Sequence, residues 1–593
     1  MSDAQEPRHQ CPAPASGGAC EQMKGGHLKC RRRAHSGFGP GADEAASDEG
    51  RPGGRAEATG CQLGEDLVHE PAALCRSSDG VAIRKQTGWL TAHAGTIAAD
   101  AGQTVTGVTI PAAVSRKMGI VAVVSSADRY DLVVIGGGSA GLTAAGFAAR
   151  IGARVLIATE EVGGDCTWTG CIPSKTLIRI AGLAHDQVQA GSSGIVPGEV
   201  RVDFPRVMAG VRAVIARVYS YETPEVLAKQ RIEVAIGRVR FLNADAIQVG
   251  ERRIAAKHFI ICTGAEPAIP PIPGLGSITY LTYESIFDLN RLPEKLIVIG
   301  AGPTGVELAQ AFARLGSNVT VIDQRSLPLP DADPEGATAI QRSVESEGVN
   351  FQMSAVVTGV AANGVGVAVD IGASQLRADA LLVATGRRPR TAALDLERAG
   401  VEVHDGAIRV DQNLRTSNPH VFAAGDVTGG FQFTHYAGWQ GYVAARNALL
   451  PGVQEGVRSS VPWAVFTDPE LAQAGLSEPE ARRQFGNIKV HRLSLERVDR
   501  AQTEGATHGF LKLVSRADGG LVGATAVSPS AGETINELSV AIDRGLTVSD
   551  LASTIHVYPT FGFAVQQLAA QAAFEAATSG TKGRVTRALR HLS

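Results

Sequence analysis

Several things are scarce in this 593-residue chain, and each scarcity excludes a class of protein. No apolar run approaches the roughly 20 residues that a membrane-crossing helix needs, so nothing suggests that the chain enters a bilayer. Neither sign of charge is in excess: 56 Lys plus Arg stand against 59 Asp plus Glu. That balance gives no electrostatic reason to expect nucleic acid or an anionic membrane as a partner. The N-terminus has no apolar core behind a basic start, so no secretory signal is evident. Cysteine is sparse beyond the first eighty residues, where only Cys166, Cys171 and Cys262 occur. Such a distribution is not a disulfide framework and reads as a cytoplasmic protein with one working pair. The early cysteines and histidines (His9, Cys11, Cys20, His27, Cys30, His35) include no CxxC pair, so no metal site is expected.

What is present is organised. Residues 1–125 are rich in Gly, Ala, Arg and short polar runs without a sustained period, and little fixed structure is expected there. Met118 stands just before the first strand pattern, so translation starting near it would leave the preceding stretch without a function. From Tyr130 the chain reads DLVVIGGGSAGLTAAGFAARIGARVLIAT, a buried strand, a glycine turn, a helix and a second strand. Gly136 suits the tight turn, Gly138 the approach of a pyrophosphate and Gly141 the packing of helix on strand. A second copy, KLIVIGAGPTGVELAQAFARLGSNVTVID, spans 295–323 with Gly300, Gly302 and Gly305 in the same roles. Two such units imply two dinucleotides.

The ribose-binding acid of the first unit falls at Thr159 or, with a loop one residue shorter, at Glu160, which is favoured. In the second unit Asp323 ends the strand, where a carboxylate accepts from both ribose hydroxyls and repels a 2′-phosphate. NADH is therefore preferred over NADPH, although Arg325 and Arg342 offer cations to a phosphate. Three further strand-to-glycine turns are FIICTGAEP with Thr263 and Gly264, LLVATGRRP with Gly386, and HVFAAGDVTG with Gly425 and Asp426.

Between the two units lies Gly163–Lys175, GGDCTWTGCIPSK, with Cys166 and Cys171 five positions apart. That spacing closes a disulfide only where the helix is distorted, and a strained, accessible disulfide is a labile redox couple. Gly170 and Pro173 are the residues expected to distort it.

The motif, with both fingerprints, resembles the pyridine nucleotide-disulfide oxidoreductases, the group of dihydrolipoamide dehydrogenase, glutathione reductase and mercuric reductase. The resemblance covers about 127–575. It implies an α/β protein of two Rossmann-like dinucleotide-binding domains plus a C-terminal α+β dimerisation domain. The expected boundaries are 126–282 with 391–460 for FAD, 283–390 for NAD(P), 461–575 for the interface of a homodimer, and a tail at 576–593. It also implies that Cys166 exchanges with substrate, that Cys171 stays beside the flavin, and that Lys175, near the flavin's reactive nitrogen, pairs with Glu307. Ser139, Gly164, Gly425 and Asp426 join the FAD-binding set. At least one thiol of the reduced pair is expected to be acidic, from the helix N-terminus and Lys175.

One departure bears on the substrate. The family's thiol-handling members carry a His-Pro-Thr segment with a glutamate five residues past the histidine, whereas here the segment is TIHVYPTFGF. Tyr558 takes the histidine's place and Phe563 the glutamate's; His556 is the only nearby substitute. A tyrosine, with a reference pKa near 10, is a poor base for a dithiol at neutral pH. Mercuric reductases also carry a tyrosine there, but they pass metal through a C-terminal cysteine pair, and no cysteine follows Cys262. The expected enzyme is mercuric reductase-like, moving electrons from NAD(P)H to a small-molecule or metal-ion acceptor. A dihydrolipoamide dehydrogenase-type enzyme is the alternative, and a flavin-bearing binding or structural subunit the alternative of another class.

Overall fold

The computed structural model describes residues 82–85, 88–91 and 129–590 apart from 197. The chain divides into two units, 1–110 and 111–593. Of the first unit the described residues are a hairpin, Ala82–Lys85 antiparallel to Gly88–Thr91. The rest of the 1–125 extension, with Met118 and the early cysteines and histidines, lies outside the described residues.

In the second unit, the strand Arg129–Gly137 buries both of its faces, as a central strand of a parallel sheet must. Leu132 and Val134 join one apolar layer, Val133 and Ile135 the other, because successive side chains point to opposite sides. Around it runs a seven-stranded sheet in which Ile232–Ile236, Val155–Val162, Arg129–Gly137 and Arg252–Ile261 are parallel neighbours. Val421–Ala423 returns from far along the chain to pair in parallel with Arg252–Ile261.

A second sheet occupies the interval between those strands. It is four parallel strands in the order Asn350–Met353, Asn318–Asp323, Lys295–Ile299, Ala380–Val383, with a three-stranded antiparallel sheet from Val357 to Ala378 as a separate element. The third sheet, five antiparallel strands between Trp463 and Ser528, packs against the helices Ala531–Asp543 and Phe563–Thr578. Residues 576–593, set apart above as a tail, hold the end of that last helix and a further one, Gly580–Arg590. Among the described residues no helix is long and apolar enough to cross a membrane.

Candidate active site

Both glycine fingerprints, the cysteine motif and the three later glycine turns open onto one cleft of about 2680 Å³. A single small-ligand pocket measures roughly 300–1,000 Å³, so this cleft has room for two dinucleotides. Each fingerprint helix starts without a side-chain cap and without an acidic residue in its first turn. The N–H groups there are left for an anion. Close packing requires glycine at particular points. A Cβ at Gly141 would lie 2.0 Å from the Gly136 carbonyl oxygen, and one at Gly305 would lie 2.0 Å from that of Gly300. Gly164, at φ +64°, sits so close to Gly138 that a Cβ would come within 2.7 Å of its Cα.

The ribose candidates separate by what their oxygens already do. The Thr159 hydroxyl donates to the Glu161 carbonyl at 2.7 Å and accepts from Gly137 N–H at 3.2 Å, which ties it into the loop. Glu160 is exposed on the cleft wall, 3.5 Å from Arg238. Asp323 is buried and accepts from the N–H groups of Ala301 at 2.8 Å and Arg325 at 2.9 Å. Arg325 lines the cleft beside it, and Arg342 is not among the cleft residues.

The two cysteines are free thiols at a break between helices. Cys166 belongs to the short helix Gly164–Trp168 and Cys171 opens the helix Cys171–Gln189. Gly170 makes the break, since a Cβ there would meet the Asp165 carbonyl oxygen at 2.8 Å. Pro173 was expected to share that role. It lies instead in the first turn of the second helix, where its missing N–H leaves no intrahelical bond unmade. Cys171 Sγ stands 3.3 Å from Thr434 Oγ1. A hydrogen bond from Cys166 pulls the Cys171 thiol down to about 6 against the cost of burial, with Thr434 and the Lys175 ammonium acting in the same direction. The same bond, reinforced by burial and by the charge on Cys171, pushes Cys166 well above the ordinary thiol range.

One turn beyond Cys171, Lys175 Nζ donates to Glu307 Oε2 at 2.8 Å. Glu307 comes from the second fingerprint helix, Pro303–Arg314, and its side chain is only 5% exposed. The pair thus ties the sulfur-bearing helix to the second dinucleotide unit.

Residues 130–441 match the family described as pyridine nucleotide-disulphide oxidoreductase, and residues 461–569 match its dimerisation domain. The chain belongs to the class I pyridine nucleotide-disulfide oxidoreductases. A mercuric reductase of Lysinibacillus sphaericus is 34% identical over 441 residues, covering 73% of this chain and 81% of the relative. A dihydrolipoyl dehydrogenase of Thermus scotoductus is 36% identical over 456 residues, covering 74% of this chain and 96% of the relative. Among solved structures, the HOCl-induced flavoprotein disulfide reductase RclA from Escherichia coli superposes with a TM-score of 0.68 at 32% identity, covering 74% of this chain and 99% of that one.

Family membership implies FAD and NAD(P)H, and the cleft of this oxidoreductase fits them. Its two uncapped helix N-termini suit two pyrophosphates, and Thr263, Gly264, Gly386, Gly425 and Asp426 share its wall. Ser139, the first residue of the first fingerprint helix, donates its hydroxyl to the Thr434 carbonyl at 2.9 Å.

Reasoning from the sequence passed over Arg387, which stands one residue past Gly386. Its guanidinium donates to Asp165 at 2.7 Å, next to Cys166 in the chain, and reaches Asp426 at 2.8 Å. Its Nε is buried without a hydrogen-bond partner. The GRRP run was the available signal, because two arginines after a strand-ending glycine at a cofactor cleft need acidic partners. Thr434 was also missed and had no local signal.

Tyr558 is not brought to the thiols of its own chain. It is exposed, its hydroxyl donates to Asp499 at 2.8 Å, and that bond pushes its ionisation upward. Its ring meets Phe563 edge-on at 5.3 Å. His556 has both ring nitrogens engaged, Nδ1 with the Thr554 carbonyl at 3.0 Å and Nε2 with Glu537 at 2.7 Å.

Proposed function

We propose that this oxidoreductase is a homodimeric, NADH-oxidising reductase that uses the Cys166–Cys171 couple to reduce a thiol-binding acceptor, with Hg(II) as the favoured substrate. The observation that carries the reading is the acidic Cys171, set between Thr434 and the Lys175–Glu307 pair in a cleft shared with both fingerprints. Bound flavin would supply a two-electron relay between NADH and the sulfurs. The first fingerprint, Gly136, Gly138, Ser139 and Gly141, would hold it together with Gly164, Thr263, Gly264, Gly425 and Asp426, with Glu160 on the ribose. Gly300, Gly302, Gly305 and Gly386 would receive the nicotinamide dinucleotide.

Two electrons from NADH open the S–S bond. The proton stays on Cys166, whose thiol is held high, and the anion rests on Cys171. Lys175 sets a cation beside that anion, and Glu307 orients the ammonium. Hg(II) binding at the sulfurs displaces the Cys166 proton to water, the electron pair of the two thiolates passes to the metal to give Hg(0), and the S–S bond re-forms.

Asp323 supports NADH. Each of its oxygens takes one backbone N–H and keeps a lone pair for a ribose hydroxyl, while its charge opposes a 2′-phosphate.

Acid-base assistance is worth roughly 10²–10⁴ in rate. Neither Tyr558, bonded to Asp499, nor His556, with both nitrogens engaged, offers a free base in this chain. A soft metal ion needs thiolates rather than a proton shuttle. The relative named mercuric reductase fits this reading, as does the tyrosine at 558. The test is anaerobic NADH oxidation with Hg(II), lipoamide, glutathione disulfide or a quinone, in wild type and in Cys166→Ser. Hg(II) turnover that is lost in the variant supports the proposal. Lipoamide turnover above that with Hg(II), or quinone activity alone that survives the substitution, overturns it.

A further inference from the structure

The charge beside Cys171 is held by more than Glu307. The loop after the strand Trp463–Val465, part of the third sheet, runs along one face of the second fingerprint helix, where Glu307, Gln310 and Arg314 are spaced three and four residues apart. Gln310 makes a reciprocal clamp on the main chain of Asp468, accepting from its N–H at 2.9 Å and donating to its carbonyl at 2.8 Å. Arg314, its side chain 4% exposed, donates to the Asp468 carboxylate at 3.0 Å and to Glu347 at 2.6 Å. With Asp468 fixed in this way, Phe466 is fixed too. Its N–H donates to Glu307 Oε1 at 2.9 Å, leaving Oε2 for Lys175, and its ring lies 4.6 Å from the Lys175 ammonium.

We infer that Phe466 is a positioning residue for the redox centre: its peptide N–H orients the Glu307 carboxylate and its ring holds the Lys175 ammonium toward Cys171. This rests on the reading above that Lys175 and Cys171 flank the flavin. The physical basis is a division of labour. A buried carboxylate bonded through one oxygen only can swing, and a lysine on a flexible four-carbon stem can move with it into water. A second donor on Glu307 removes the first freedom, and an aromatic face removes the second without adding a competing charge. Phe466 belongs to the segment that matches the dimerisation domain. That domain therefore contributes to the electrostatics of its own chain's sulfurs.

The ionisable groups facing the two sulfurs are Lys175, Glu307 and, on the Cys166 side, Glu222, with Arg314, Glu347 and Asp468 paired behind Glu307. The measurement is the long-wavelength charge-transfer absorbance of the flavin-loaded enzyme reduced anaerobically with NADH, followed from pH 5 to 9. In Phe466→Leu, which keeps the N–H and loses the ring, the midpoint of that band should rise by about half a unit to one unit, the size of a cation–π contact read as a pKa change. Phe466→Tyr should restore it. In a Lys175→Met background the Leu substitution should leave the midpoint unmoved, because Phe466 acts through that ammonium. A wild-type midpoint in Phe466→Leu with normal flavin content overturns this inference alone, as does an equal shift with and without Lys175. Absence of the band in reduced wild type overturns the underlying reading as well.

Discussion

Replacing Arg387 with methionine is the most demanding test of how this cleft is built. The guanidinium is a part-buried bridge, its side chain 26% exposed, 2.7 Å from Asp165 and 2.8 Å from Asp426, and methionine keeps its approximate length without the charge. Asp165 retains Arg390 at 3.2 Å and so keeps a cation. Among the described residues Asp426 makes no other ion pair, and its carboxyl already sits above the ordinary carboxylate range because burial outweighs the attraction of Arg387. Removing one partner from a fully buried pair costs about 3–5 kcal/mol, because the other charge stays buried and unbalanced; with Asp426 buried and the guanidinium part-exposed, about 3 kcal/mol is expected. In a lobe of 150–250 residues each kcal/mol is worth about 2–4 °C, so a fall of about 10 °C in the melting of the flavin-binding lobe is expected.

The pH dependence has a definite sign. Without Arg387 the folded-state pKa of Asp426 rises further, while the unfolded value stays near 3.9. The folded variant then binds the proton more tightly than the unfolded chain does. Its stability relative to wild type is therefore best at low pH and falls as pH rises through the interval between the folded value in wild type and the higher folded value in the variant. Differential scanning fluorimetry of the flavin-loaded proteins at pH 5 and pH 8 measures this directly. A deficit below about 1 kcal/mol, or one no smaller at pH 5 than at pH 8, would refute the reasoning.

Other consequences are independent of that one. The charge-transfer band of the NADH-reduced enzyme should be full at pH 8 and fade on acidification with a midpoint near the value of about 6 for Cys171; a midpoint above 8 would contradict it. Gly141→Ala should abolish flavin retention, while Gly305→Ala should leave the protein yellow but reduce NADH-driven bleaching by about 100-fold or more, a gap of roughly 3 kcal/mol. Equal effects of the two on flavin content would show that the fingerprints are wrongly apportioned. Asp323→Ser should shift the ratio of kcat/KM for NADH over NADPH toward NADPH by about tenfold or more, and an unchanged ratio would remove Asp323 from nucleotide selection.

The α/β class, both dinucleotide units and the sulfur pair were legible in the sequence because each is written locally. A run such as LVVIGGG specifies a two-face-buried strand and a turn that only glycine tolerates, and Cys166 and Cys171 with their intervening glycine lie within six residues. Short-range chemistry of that kind needs no partner from elsewhere in the chain. What only the tertiary structure decided is which of these pieces meet. Thr434 reaches Cys171 across 263 positions and Asp165 reaches Arg387 across 222, whereas the Lys175–Glu307 pair, 132 positions apart, was expected from the family resemblance and not from any local pattern. Pro173 was misplaced for the same reason in miniature, since its role depended on where the second helix began. The acidity of Cys171, the bridging of two aspartates by Arg387 and the hold of Phe466 on the ammonium arise from charges and rings that converge through folding. Their energies depend on distance and burial, and neither quantity exists until three separate sheets have packed around one cleft.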